Sequence, residues 1–289
     1  MSLNPKQIIL SVALLSLVSC GETPTSQLTE QFPIIRSGPH DMEFAFIPSG
    51  TFRMGSSDGE EGRGDNEYRH WVKLTEDFEM QTTEVTRRQW REIMFSDPGG
   101  DKYCESRPSF VKDDDHPVTC VSWVEVDRFI NKLNKSRVKS GYRYSLPTEA
   151  QWEYATRAYT EQSYSISGRL NSFAWYKSVS NGPQPVGKLK ANFFGLYDVH
   201  GNVWEWTSDI YKENYPETKS FFNPIENPKG PKSENKTYDR GGDVKEKIHV
   251  FRGGGWAFQP EYCRSATRNR GMAHDRYQYV GFRLMRTKI

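Results

Sequence analysis

The sequence predicts an α+β fold: one loop-rich domain with little regular secondary structure. Three observations predict it. Helix-start signals occur at Thr86, Ser122 and Thr148 and vanish beyond Thr156. Past Thr156 the apolar pattern breaks into short runs suited to brief strands. The 23 Gly and 16 Pro among 289 residues call for many turns and few long elements.

Composition narrows the function classes. Lys and Arg number 39 against 37 Asp and Glu, a formal charge of +2, which points to neither a nucleic-acid partner nor a polyanionic surface. Hydrophobic residues make up 35% and aromatics 13%, with eight Trp, so aromatic rings are expected to fill much of the core.

At the N-terminus Lys6 precedes an apolar run, Ile8 to Val18, too short for a mature membrane span. It ends in Leu17-Val18-Ser19-Cys20, which resembles a bacterial lipobox with Cys20 as the lipidated residue. The alternative is an ordinary signal peptide cleaved near Ser19. On the lipobox reading residues 1–19 are a signal peptide, 20–41 a flexible tether and 42–289 the folded domain. The protein is then expected in the bacterial cell envelope, lipid-anchored at the outer membrane or facing the periplasm. In that oxidising setting Cys104 and Cys120 are candidates for a short-loop disulfide. Cys263 is left over, as a small buried hydrophobe or a reactive thiol.

The first elements read as strands. Met42 to Ile47 and Thr51 to Met54 suggest a hairpin turning at Pro48-Ser49-Gly50. Ser57 to Asn66 is a Gly- and acid-rich loop, and His70 to Phe78 alternates as a strand. Three capping boxes follow, Thr86 with Gln89, Ser122 with Glu125 and Thr148 with Gln151. Each opens an apolar helix face, such as Val126, Phe129, Ile130 and Leu133. Tyr211 to Glu246 is a Pro- and Lys-rich surface excursion, and Val250 to Arg252 and Val280 to Leu284 are closing strands.

The chain is organised around Gly195 to Asp209, where Asp198, Glu205 and Asp209 lie among two glycines, an asparagine and two tryptophans. Gly201-Asn202 is turn chemistry, so the stretch reads as a tight loop running into a buried strand. Asp198 and Glu205 side chains, with the Gly201 and Val203 carbonyls, supply the hard oxygens calcium requires. Alternatively, these acids cap backbone N–H groups or pair with arginine. His200 is either a general base or an exposed loop residue. Arginines crowd the last part: Arg252, Arg264, Arg268, Arg270, Arg276, Arg283 and Arg286. They read as an anionic-ligand site or as ties from loops to the acids of the central stretch.

These pieces together resemble the formylglycine-generating enzyme family, or sulfatase-modifying factor domain. The resemblance rests on Phe46 to Gly55, Thr83-Glu84-Val85-Thr86, Pro117 to Trp123 and Leu146 to Ala155. It continues through the central stretch, Arg252 to Trp256 and Gly281-Phe282-Arg283. It implies a single domain related to C-type lectins. It also implies a calcium ion at the positions of Asp198, Gly201, Val203 and Glu205; the loop for a second family site is shortened here to Ser180–Pro183.

The family's aerobic oxidases hold copper(I) between two cysteines, soft ligands suited to that ion. Counted from the glycine run, Cys263 takes the first position and Arg268 the second; counted back from Gly281, Pro260 and Ser265 take them. Either way at most one thiolate is available, so copper is not expected. The expectation is a calcium-stabilised module binding a peptide or protein partner in the envelope, in a groove lined by Trp256, Tyr262 and Arg268. The alternative is a formylglycine-generating oxidase of exported sulfatases, with Cys263 as its catalytic residue.

Overall fold

The computed structural model describes residues 33–99, 104, 113–136, 140–215, 220–231 and 247–289. The expected signal peptide, Cys20 and most of the expected tether lie outside the described residues. Residues 33–289 form one compact unit.

Three small sheets make its frame. The first runs β1 (Ile35–Ser37), β2 (Glu43–Ile47), β5 (Phe78–Gln81), β12 (Met285–Lys288), β6 (Tyr142–Ser145). The second runs β10 (Arg268–Met272), β9 (Ile248–Arg252), β7 (Trp204–Ile210), β11 (Val280–Gly281). The third holds β3 (Gly50–Met54), β4 (His70–Leu74) and β8 (Ile225–Glu226). Among the described residues three α-helices pack on them: α1 (Arg87–Met94), α2 (Trp123–Ser136) and α3 (Glu149–Arg157).

The helices start where the capping boxes put them. The Thr86 and Thr148 hydroxyls accept from the Gln89 and Gln151 N–H groups, and each Gln side chain accepts from its cap backbone in return. Ser122 and Glu125 exchange the same pair of bonds at 2.9 and 3.3 Å. Each box satisfies two N–H groups that the first helical turn leaves open. The apolar faces then bury Trp90 and Ile93 on α1 and Val126, Phe129, Ile130 and Leu133 on α2. Aromatics do fill the core: Trp90, Trp152, Trp204 and Trp206 are among its largest fully buried side chains.

Two expectations need correction. Strand β1 lies inside the expected tether, because Ile35, Arg36 and Ser37 pair with Ala45, Phe44 and Glu43. A three-residue edge strand is too short to show alternation. Pro33 packs so close to Gly195 that a Cβ there would lie 2.7 Å from the proline ring. Nor do β2 and β3 form a hairpin. Both edges of β2 are occupied, by β1 and β5, so β3 crosses to pair with β4.

Strand β7 is buried along nearly its whole length, with neighbours on both edges. That is why Trp204-Glu205-Trp206-Thr207 lacks simple alternation. The last apolar run, Val280 to Leu284, divides: only Val280 and Gly281 pair with β7, and Met285 starts a different sheet.

Candidate functional site

The loop before β7 is held in conformations that most side chains avoid. Asp198 and Asn202 both have φ of 58°, and Gly201 stands at 144°. A Cβ on Gly201 would meet the Trp175 carbonyl at 2.3 Å, so glycine is required there. Asn202 is fully buried and ties the loop together. Its backbone N–H donates to the Trp175 carbonyl at 2.8 Å, and its carbonyl accepts from Trp256 at 2.8 Å. Its amide donates to Glu84 Oε1 at 3.1 Å and accepts from the Gln184 N–H at 2.9 Å.

Asp198 Oδ2 accepts from the Gly187 N–H at 2.7 Å. Among the described residues its Oδ1 is buried without a hydrogen-bond partner, and so is Glu84 Oε2. Burial pushes the Asp198 carboxyl up to about 6. Burial, with Asp198 as a like-charged neighbour, raises Glu84 well above its usual range. Two buried carboxylates with an idle oxygen each need a proton or a cation.

Glu205 differs. Its Oε1 accepts from Arg283 Nη2 at 2.7 Å, and its Oε2 accepts from Arg283 Nε and Trp152 Nε1, both at 2.7 Å. The expected calcium set of Asp198, Gly201, Val203 and Glu205 therefore does not fit as drawn. Asp198 offers a free oxygen, but a cation on Glu205 would face a guanidinium already seated there. Glu84, which sequence reading left inside a motif without a role, supplies the second idle oxygen. Its signal was indirect: an acid two residues before a buried capping box has no solvent to face.

Arginines in the last part are mostly structural ties, but their acids come largely from outside the central stretch. Arg252 pairs with Glu149 and Glu153, Arg264 with Glu60 and Glu67, Arg276 with Glu125 and Arg286 with Glu79. Among the described residues only Arg283 forms an ion pair with the central stretch. Arg268 was expected in a groove with Trp256 and Tyr262. Instead its guanidinium is buried on Glu149, at 2.7 and 3.0 Å, and on the Asn66 and Glu213 carbonyls.

His200 is not an exposed loop residue. It is 1% exposed, its Nδ1 lies 2.9 Å from the Cys263 carbonyl, and its Nε2 accepts from the Ser165 N–H at 3.0 Å. Burial pushes it down to about 4. A neutral ring with both nitrogens engaged is a strut between loops.

Cys263 is fully buried, and burial pushes its thiol up to about 12. The glycine run explains its neighbourhood. A Cβ on Gly254, at φ 75°, would lie 2.5 Å from the Cys263 sulfur, so glycine lets the two segments touch. Cys104 and Cys120 are joined to each other, with a Cα–Cα distance of 5.9 Å, well within disulfide geometry. Among the described residues Cys263 is the one free thiol. Ser265, at the second copper position in one register, is buried with its backbone bonded to Ser163 and Arg252.

Beside the glycine run the surface is aromatic. Phe258 meets Tyr262 edge-on at 6.0 Å and Tyr279 at 5.0 Å, and Tyr279 stacks on Tyr277 at 5.4 Å. Tyr262 is 48% exposed, and Trp256, Phe258 and Tyr279 are half-buried.

Residues 35–288 match the sulfatase-modifying factor enzyme 1-like domain. The chain belongs to the sulfatase-modifying factor family. Within it, the chain is 30% identical over 187 residues to the formylglycine-generating enzyme of Mus musculus, covering 58% of this chain and 43% of that protein. It is also 30% identical over 226 residues to that of Mycobacterium tuberculosis, covering 69% and 67%. A chaperone protein, LppX of Paenibacillus barcinonensis, is 30% identical over 193 residues, covering 49% and 65%. Solved structures agree on the fold. PvdO from Pseudomonas aeruginosa superposes with a TM-score of 0.73 at 26% identity, covering 89% of this chain and 99% of PvdO. Treponema denticola variable protein 1 gives 0.70 at 25%, covering 88% and 99%. The sulfatase-modifying factor fold here is thus α+β, with small sheets and few helices around a buried central strand. The matched part of the mouse enzyme is under half its length, so the family, and not that enzyme's whole activity, is what the likeness shows.

Proposed function

We propose that this protein is a binding module of the sulfatase-modifying factor family, taking a peptide or protein partner on the aromatic face of Trp256, Phe258, Tyr262 and Tyr279. The observation that carries the proposal is the state of the thiols. A copper(I) bis-thiolate needs two soft, ionisable sulfurs side by side. Cys263 is buried and held far from ionisation, and Cys104 and Cys120 are consumed by one another. Aromatic rings with an apolar body and a polar edge suit a protein partner. A relative named as a chaperone protein supports a protein-binding role within the same family.

The second reading is a formylglycine-generating oxidase, favoured by relatives that carry that name. One experiment separates the two. The full chain is incubated with copper and a Cys-X-Pro-X-Arg peptide, and the product is weighed by mass spectrometry. No aldehyde is expected. Aldehyde that disappears in Cys263→Ser would overturn the binding-only proposal. Peptide-library selection on the folded chain, repeated with Tyr262→Ala and Tyr279→Ala, tests the face itself. Ligands should be recovered by the parent chain and lost by the variants.

Two further features belong to the proposal. Lys6, the apolar run and Cys20 support a lipid anchor at the bacterial envelope, which mass measurement of the N-terminal peptide tests. The idle oxygens of Asp198 and Glu84 support calcium as a stabilising ion, held through hard oxygen ligands.

A further inference from the structure

Away from the aromatic face, a cavity of about 300 Å³ opens between the start of α3, the end of β7 and the segment after β8. That volume is at the small end of ligand sites. Much of its wall is apolar, with Met54, Ile210, Ile225 and Pro228 contributing. Its polar groups are unevenly occupied. Arg268 and Tyr215 line the wall, but the Tyr215 hydroxyl hydrogen and four of the five Arg268 hydrogens go to Glu149 and to the Asn66 and Glu213 carbonyls. Glu149 is saturated in turn by Arg252, Arg268 and Tyr215.

Asp209 is the exception. Its side chain lines the cavity, and the residue is only 4% exposed. Oδ2 accepts from the Glu149 N–H at 2.9 Å and the Ser208 hydroxyl at 3.0 Å, so this oxygen helps cap α3. Oδ1 accepts no hydrogen bond among the described residues, and no cation pairs with it there. Burial and the Glu149 charge raise the carboxyl to about 7, the mark of an acid short of a partner. His70 adds a second acceptor to the lining. Its Nδ1 lies 2.9 Å from the Tyr68 carbonyl and must be the donor, which leaves Nε2 unprotonated in a neutral ring.

The buried donors of the wall, on Arg268 and Tyr215, are largely used while the acceptors on Asp209 and His70 are idle, and the free donors, on Lys212, Asn214 and Lys229, are exposed, so the inner end of the cavity asks its ligand to bring hydrogens. We propose that this cavity binds a small organic amine, with the ammonium group on Asp209 Oδ1 and an apolar body against Met54, Ile210 and Ile225. Lys212 and Lys229, exposed at the mouth, leave the ligand's far end to solvent or to an acidic group.

The test is calorimetry on the full chain with benzylamine, benzyl alcohol and benzoate, three probes of similar shape and different charge. Benzylamine should bind saturably, about tenfold or more tighter than the other two. Asp209→Asn keeps an oxygen for the α3 cap and should weaken benzylamine about tenfold. Ile225→Trp fills the cavity without touching Asp209 and should abolish binding. Its melting curve, taken alongside, establishes that it is folded. Equal binding of benzyl alcohol, preferential binding of benzoate, no binding of benzylamine, or full binding by either variant would overturn the proposal.

Discussion

Arg283 sits on Glu205 as a fork, with Nε and Nη2 each 2.7 Å from one carboxylate oxygen and both side chains sealed from solvent. The guanidinium then gives its remaining hydrogens to the Gln81, Thr82 and Tyr197 carbonyls, at 2.9 to 3.2 Å. All five donors are used, and the pair joins β7 to the loops around β5 and the central stretch. Arg283→Met strands a buried carboxylate and should cost about 3–5 kcal/mol in urea unfolding. The double variant Arg283→Met, Glu205→Leu should recover much of that loss, since neither charge is then left alone.

The same pair decides how calcium dependence should be dissected. Chelation is expected to lower the melting temperature, because an ion bound only by the native state stabilises it. Asp198→Asn and Glu84→Gln should remove the response to chelator. Glu205→Gln should lower melting equally with and without chelator, because its partner is Arg283. An unchanged melting curve on chelation of the parent chain removes calcium.

Stability should fall in acid for a reason that can be traced. Burial alone would raise Glu149, but Arg268 and Arg252 outweigh it and hold the carboxyl down at about 2. A carboxyl depressed in the fold stabilises it above the unfolded value, and the contribution disappears as pH falls through the folded one. The loss therefore spans roughly pH 5 down to pH 2. His200 adds to it from higher pH. Burial holds the ring down at about 4, so between about 6.5 and 4 the unfolded chain takes a proton that the fold refuses. Glu149→Gln should flatten the lower limb and leave the His200 limb in place.

Asp209 acts with the opposite sign. Its carboxyl is raised to about 7, so the fold favours the protonated form and stability declines as pH rises from about 4 to 7. Thermal melting of Asp209→Asn should lack this decline, and the gap between variant and parent should widen toward neutral pH.

Cys263 should ignore thiol reagents in the native chain and react on unfolding, because both its burial and its raised ionisation suppress the thiolate. Reduction of Cys104–Cys120, whose positions are 16 apart, should cost about 3 kcal/mol in the same unfolding assay.

The sequence by itself determined the local events: where three helices start, that aromatic rings fill the core, that a loop precedes a buried strand at Trp204, and which family motifs are present. These depend on neighbours a few residues apart, whose spacing is fixed by the chain. It also carries at most one cysteine at the positions where the family resemblance places a pair. The tertiary structure alone decided what each polar group faces. Glu205 and Arg283 are separated by 78 positions, Arg268 and Glu149 by 119, and no pattern in the chain announces such pairs. A charged side chain in a loop-rich fold has many possible partners, and burial in one packed arrangement selects among them. That selection turned Glu205 from an expected metal ligand into an anchor, moved Arg268 from a surface groove into the interior, and left Glu84, Asp198 and Asp209 each with an oxygen that accepts no hydrogen bond among the described residues.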